Sequence, residues 1–288
     1  MDGPGATDGR LDARVGSPRP SFDVPTKIAR ESVTQYLWGD EESGLVADWI
    51  YASTQRVHML VYGLPRDGAC RHSPSHRTIF GADVCYLVLE GTLALANPET
   101  GEVKVAEPGE LLFFRKDTWH HIFSKGSVPL RVLEYFAPPP STGTSRAYAA
   151  TRPYLERALY ELADDVGSLP SSARNDTLWR VTAADAAWRL EGSMLVGLLV
   201  STEHLHVATL RLRPSETSDV RRRGGDTVVY VTQGSLHVRS SFGDTTFWFE
   251  INEGDAFFAP AGAEQQFFNY GGDDVHAALG VAPAWYPT

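Results

Sequence analysis

The sequence predicts an all-β protein: two tandem β-domains, each a barrel or sandwich, joined by a linker that carries the clearest helical pattern. Three observations predict it. Most of the chain divides into short runs rich in β-branched and aromatic residues, bounded by turn residues such as Gly and Pro. Helical periodicity is scarce. The second half also repeats the first, segment by segment and in the same order.

The elements follow in chain order. Residues 1–25, "MDGPGATDGRLDARVGSPRPSFDVP", are rich in Gly, Pro and Asp, lack an apolar signal-peptide core, and read as a disordered tail. Residues 26–138 are expected to form the first barrel, with strands over "QRVHMLVYGL", "VCYLVLEGTLALA", "ELLFFR" and "LRVLEYFA". Residues 139–175 are the linker. Within it "PYLERALYELADD", Pro153 to Asp165, opens with Pro at the first turn and sets Leu155, Leu159 and Leu162 at helical spacing. Residues 176–288 are expected to form the second barrel, with strands over "HLHVATLRL", "TVVYVTQGSLHVRS", "TFWFEI" and "DAFFAPAG". Many short strands with Gly/Pro turns favour a barrel or sandwich.

The duplication rests on four matches. "VCYLVLEGTLAL" aligns with "TVVYVTQGSLHV", placing Gly91 opposite Gly234. "EPGELLFFRKDTWHHIFSKG" aligns with "NEGDAFFAPAGAEQQFFNYG". "STQRVH" (Ser53 to His58) aligns with "STEHLH" (Ser201 to His206), and Asp83 and Asp226 each lie eight residues before the matching glycine.

Composition removes several function classes. Against 26 Lys+Arg stand 36 Asp+Glu, a net charge of −10, which lacks the basic footprint of a nucleic-acid binder. The run "RRR", Arg221 to Arg223, reads as a solvated loop. No apolar stretch approaches the ~20 residues of a membrane span. Cys70 and Cys85 lack CxxC spacing and are expected to stay reduced in a cytoplasmic protein. A small-molecule substrate and a homodimer are the candidate partners, with neither nucleic acid nor membrane.

Two motifs then carry a resemblance. The second half's "GDAFFAPAGAEQQFFN" fits G-x5-P-x-G-x2-H-x3-N at Gly254, Pro260, Gly262 and Asn269, with Gln265 in the histidine slot. The first half reverses this: Gly109 and His120 fit, while Arg115, Asp117 and Ser124 replace Pro, Gly and Asn. The chain resembles the cupin superfamily, as a bicupin of two double-stranded β-helix (jelly-roll) barrels with a degenerate second copy. The family's other motif, G-x5-H-x-H-x3,4-E-x6-G, is weaker here. His76 falls in its second histidine slot and Pro74 in its first, while Val84 holds the glutamate slot.

The resemblance implies a divalent metal held by imidazoles: Fe first, with Zn, Ni or Mn as alternatives, or no metal at all. The implied ligands are His72, His76 and His120, with His72 replacing the missing histidine of the loop "RHSPSHRTIFGAD". Adjacent strand residues point to opposite faces, so only one of His120 and His121 faces the interior. The motif register selects His120 and sends Trp119 and His121 outward. Glu134 alternates with Val132 and Phe136 and is a candidate buried acid. Arg71, Arg77 and Arg115 are candidates to clamp a substrate carboxylate, with Arg77 placed in the catalytic set. Phe80, Tyr86, Val88, Leu112, Phe114 and Phe123 are candidate interior residues, and His58 and His206, present in both repeats, are expected to share a structural role.

The functional expectation is a metal-dependent enzyme with oxygenase (dioxygenase-type), isomerase or decarboxylase chemistry in the first barrel. The alternatives are a metal-free isomerase or cyclase using His120 as acid/base, and a non-catalytic metabolite-binding protein.

Overall fold

The computed structural model describes residues 17–139, 145–161 and 176–287. Its strands form four antiparallel sheets, two of seven strands and two of four. In one large sheet, Leu111–Phe114, Asp83–Glu90, Leu130–Ala137, His58–Leu64 and Gly44–Ser53 lie side by side. The other repeats that order with Ala256–Ala259, Asp226–Gln233, Val275–Ala282, His206–Leu212 and Met194–Ser201. The small sheets, built around His121–Ser124 and Glu264–Phe268, complete the barrels.

Period-2 alternation gives each large sheet two apolar faces. Val84, Tyr86 and Val88 point into the first barrel, whereas Cys85 and Leu87 point to the opposite face. In the second barrel Val229 and Val231 point inward, whereas Val228 and Tyr230 point across to the first barrel. The two large sheets therefore pack face to face and share a third core. Tyr135 crosses this interface, its hydroxyl donating to the carbonyls of Val228 (3.3 Å) and Ala278 (3.2 Å). Its ring lies against Gly280, where a Cβ would fall 2.4 Å from the ring. No larger residue fits there.

The barrels also exchange strands. Thr26–Ile28, from the expected start of the first barrel, pairs with Ala256–Ala259 at the edge of the second barrel's sheet. Leu178–Val181, from the expected second barrel, pairs with Leu111–Phe114 of the first. The chain ahead of this exchange is no loose tail: of the stretch expected to be disordered, residues 17–25 are ordered. Arg19 donates to Ser53 Oγ (3.3 Å) and the Thr54 carbonyl (3.1 Å), and Phe22 packs on Phe258. Residues 1–16 of the expected tail lie outside the described residues.

The duplicated "STxxxH" segments do the same job twice. His58 Nδ1 meets Ser53 Oγ at 2.9 Å, and His206 Nδ1 meets Ser201 Oγ at 2.8 Å. Buried Asp226, the counterpart of Asp83, accepts from Thr54 and Arg56 of the other barrel and from the Ala261 amide.

The linker differs from the expected helix. A short helix spans Ser145–Ala150, residues 153–158 are non-helical, and a single 3-10 turn covers Leu159–Glu161. Residues 162–165 of the expected helix lie outside the described residues. Tertiary contacts override the helical spacing: Leu155 packs against Ile79 and Trp119, and Tyr160 reaches His121. An extended segment spans more distance per residue than a helix and so reaches both anchors.

Candidate functional site

The interior of the first barrel is lined by aromatic rings and holds unpaired acids. Along Gly44–Ser53, Val46, Asp48 and Ile50 share the inward face. Along Leu130–Ala137 the inward residues are Val132, Glu134 and Phe136. Register sets Asp48 beside Tyr62, and Glu134 beside Tyr86. The Tyr62 and Tyr86 rings meet edge to face at 5.2 Å; His120 lies 4.5 Å from the Phe114 ring, 4.8 Å from Phe80 and 6.1 Å from Tyr86.

The electrostatics follow from burial. Asp48 and Glu134 are 9% and 7% exposed, and neither carboxyl forms a hydrogen bond or ion pair among the described residues. Burial pushes the Asp48 carboxyl up to about 8. Burial, reinforced by nearby Asp48, drives Glu134 well above the usual carboxylate range. Two like-charged groups desolvated together hold their protons. Burial, with Glu134 as a nearby charge, likewise raises the Tyr62 and Tyr86 phenols, and the Tyr62 hydroxyl has no partner among the described residues. Burial lowers His120 to about 4, so at neutral pH its ring is uncharged. Nδ1 faces the Thr118 carbonyl at 3.2 Å, which assigns the proton to Nδ1 and leaves Nε2 as the basic nitrogen.

The expected histidine set does not assemble. His120 faces inward, as the motif register requires. His72 lies on the opposite face of the small sheet, its Nδ1 2.6 Å from His121 Nε2 and its Nε2 2.6 Å from the Leu155 carbonyl. His121 does point outward, but this chain's own linker covers it, with Tyr160 Oη 2.5 Å from Nδ1. His76 is engaged elsewhere: Nδ1 sits 2.9 Å from Asp40, and the ring packs edge-on against Trp38. Burial opposes charge on Asp40. Bonds from Ser75, the Ser43 amide, His76 and Ser73 outweigh it and hold the carboxyl well below its usual range.

Among the described residues no three His, Cys, Asp or Glu side chains are arranged to hold a metal ion. His72, His76 and His120 thus do not fit the metal that the resemblance implies. Each spends a ring nitrogen on a different partner, and His72 stands across the sheet from His120.

Three further expectations change. Arg77 clamps no open site; its Nη1 donates to the carbonyls of Ala149 (3.2 Å) and Arg152 (2.7 Å) and pins the linker. Arg71 pairs with Glu161, and Arg115 with Asp83 and Glu203. Phe123 turns outward against Tyr160, whereas Tyr86, Val88, Leu112 and Phe114 lie inside as expected and Phe80 packs against them. The motif departure at Asp117 keeps the motif's backbone: its φ of 66° matches the left-handed 81° of Gly262, and its carboxylate is held by Tyr148 and Arg152.

Asp48 and Tyr62 are site residues that sequence reasoning missed. The signal was present in "GLVADWIYAS", where Asp48 alternates with Val46 and Ile50. A cleft of about 640 Å³ between the barrels is a weaker candidate, because its Arg56, Thr54 and Asp226 are bonded to one another.

No family model and no curated protein sequence matches the chain. Solved structures do. AerE from Microcystis aeruginosa superposes with a TM-score of 0.59 at 8% identity, over 87% of this chain and 97% of that one. A mutant of oxalate decarboxylase OxdC from Bacillus subtilis gives 0.63 at 11% identity, over 94% and 80%. Another oxalate decarboxylase structure gives 0.65 at 12%, with the same coverage. With two like barrels in tandem and this resemblance to oxalate decarboxylase, the chain has the bicupin fold.

Proposed function

We propose that the first barrel houses a small-molecule isomerase or cyclase that works by proton transfer without a resident metal. The observation that carries this reading is the pair of buried acids, Asp48 and Glu134, which have no hydrogen-bond partner among the described residues and face an aromatic interior beside Tyr62 and Tyr86, with His120 packed against Tyr86. Burial without a partner is costly, and acids kept in that state match the needs of acid/base catalysis. At neutral pH protonated Glu134 and Asp48, with the Tyr62 hydroxyl, donate hydrogen bonds to a substrate carbonyl and stabilise the enolate as it forms. His120 Nε2 is the uncharged base that removes and returns a carbon-bound proton. Tyr86, Phe114, Phe80 and Phe136 select a small, largely apolar ring. Oxalate decarboxylase, by its name an enzyme acting on a small molecule, has the same fold, which supports small-molecule chemistry here.

The test is solvent-deuterium exchange, followed by NMR, with a panel of small aromatic ketones and 2-oxo acids in the presence of a chelator. Exchange that proceeds with chelator and falls at least a hundredfold in Glu134→Gln and His120→Gln supports the reading. Exchange that needs added metal, or that persists in both variants, overturns it.

A further inference from the structure

The second barrel, the degenerate copy, carries a polar cluster that the duplication does not explain. It grows from the "RRR" run. Arg221 and Arg222 form a short strand paired with Gln265 and Glu264. Paired residues share a face, so Arg222 and Glu264 meet on the outside at 2.7 Å, while Arg221 shares the inward face of Gln265. Arg223, two residues on from Arg221, falls on that inward face and is 2% exposed. No solvated loop forms here.

Arg223 is underused. Among the described residues one of its five N–H groups is spent, Nη2 to Glu191 Oε2 at 2.7 Å, and the guanidinium lies 4.2 Å from the centre of the Trp285 ring. Two ion pairs balance the charge: Arg223 pairs with buried Glu191, and Arg221, its Nε 4.0 Å from the same Glu191 oxygen, turns its outer end to exposed Asp219. Two further buried atoms lack a partner among the described residues: the Trp285 indole N–H and Gln265 Oε1, whose Nε2 is taken by Thr227 Oγ1 at 3.1 Å. Orphaned buried polar groups are rare and call for a bound partner.

Unspent donors outnumber acceptors, and one acceptor, Gln265 Oε1, belongs to the inward face that Arg223 shares. A planar carboxylate matches the free edge of a guanidinium and the indole N–H, and a hydroxyl on the same molecule satisfies Gln265 Oε1. We infer that the second barrel holds its own binding site for a small hydroxy-carboxylate, clamped by Arg223 and Trp285 and read by Gln265. Arg221, 44% exposed by side chain, marks the open rim through which the ligand enters. The site is independent of the chemistry proposed for the first barrel.

Calorimetric titration of the full chain with glycolate, acetate and inorganic phosphate tests this. Glycolate should saturate one site per chain, with acetate about tenfold weaker for want of the hydroxyl and phosphate weaker than glycolate. Arg223→Met should abolish binding and Trp285→Phe weaken it about tenfold, while Glu134→Gln in the other barrel leaves it unchanged. Circular dichroism checks each variant's fold; should Arg223→Met fail to fold, Trp285→Phe decides. Absence of saturable binding by all three probes, binding unaltered by Trp285→Phe, or tighter binding of phosphate than of glycolate overturns the inference.

Discussion

Replacing Asp48 with asparagine should make the protein more stable at neutral pH, by an amount that grows with pH. In the unfolded chain an aspartate ionises near 3.8; buried beside Tyr62, Asp48 ionises at about 8. Between those values the folded protein keeps a proton that the unfolded chain has released. Stability therefore falls as pH rises through this window, by about 1.4 kcal/mol per pH unit, and the loss is complete above the folded value. Well below pH 3.8 both states are protonated and this pH-dependent cost vanishes. Asparagine keeps the shape of the acid and has no charge to suppress. From pH 5 to 7.5 the stability difference between Asp48→Asn and the parent should widen in favour of the variant by about 3 kcal/mol. Urea unfolding at pH 5, 6, 6.5 and 7.5, followed by circular dichroism, measures it. A difference that stays constant across this range would mean that Asp48 ionises normally, and would remove the electrostatic basis of the proposed site.

Other expectations follow from the packing. Burial, then nearby His72, His120 and Arg71, lower His121 to about 3, so its contribution runs the other way: stability drops as pH falls below 6.5, by about 2 kcal/mol at pH 5. Hydrogen exchange over residues 153–161, corrected for intrinsic rates, should show the linker loosening at pH 5 and not at pH 7.5. Tyr160→Phe, which deletes the hydroxyl at His121 Nδ1, should cost about 1 kcal/mol at neutral pH. Gly280→Ala should cost about 1–3 kcal/mol, because the new methyl meets the Tyr135 ring, and should cost much less in a Tyr135→Ala background. Asp226→Ala strands the Thr54 hydroxyl and the Ala261 amide and should lower stability by about 2 kcal/mol in the same unfolding assay.

The architecture was legible wherever alternation and repetition carried it. Matched glycines and the period-2 pattern of "VCYLVLEG" and "TVVYVTQG" are local signals, and both barrels follow them. Glu134 was legible for the same reason, flanked by two inward apolar residues. What stayed hidden depends on distant partners. Nothing in "TKI" says that three residues will edge a sheet completed some 230 residues later. The resemblance put His72, His76 and His120 in one site, but which face each occupies is set by the small sheet and by a linker whose Tyr160 lies 39 residues beyond His121. The leucines of Pro153 to Asp165 promised a helix because propensity is a weak prior that side-chain anchoring at His72 and His121 overcomes.

The reciprocal exchange of edge strands governs how the molecule is made. Thr26–Ile28 leaves the ribosome first, yet its sheet is finished only when Ala256–Ala259 has been synthesised. The first barrel, in turn, keeps Leu111–Phe114 uncovered until Leu178–Val181 arrives. Neither half completes its sheet while translation is confined to that half, and a chain cut within the linker leaves an open strand edge on each piece, the kind of surface through which proteins aggregate. Duplication thus produced a single folding unit from two barrels, one that matures only once both have been synthesised.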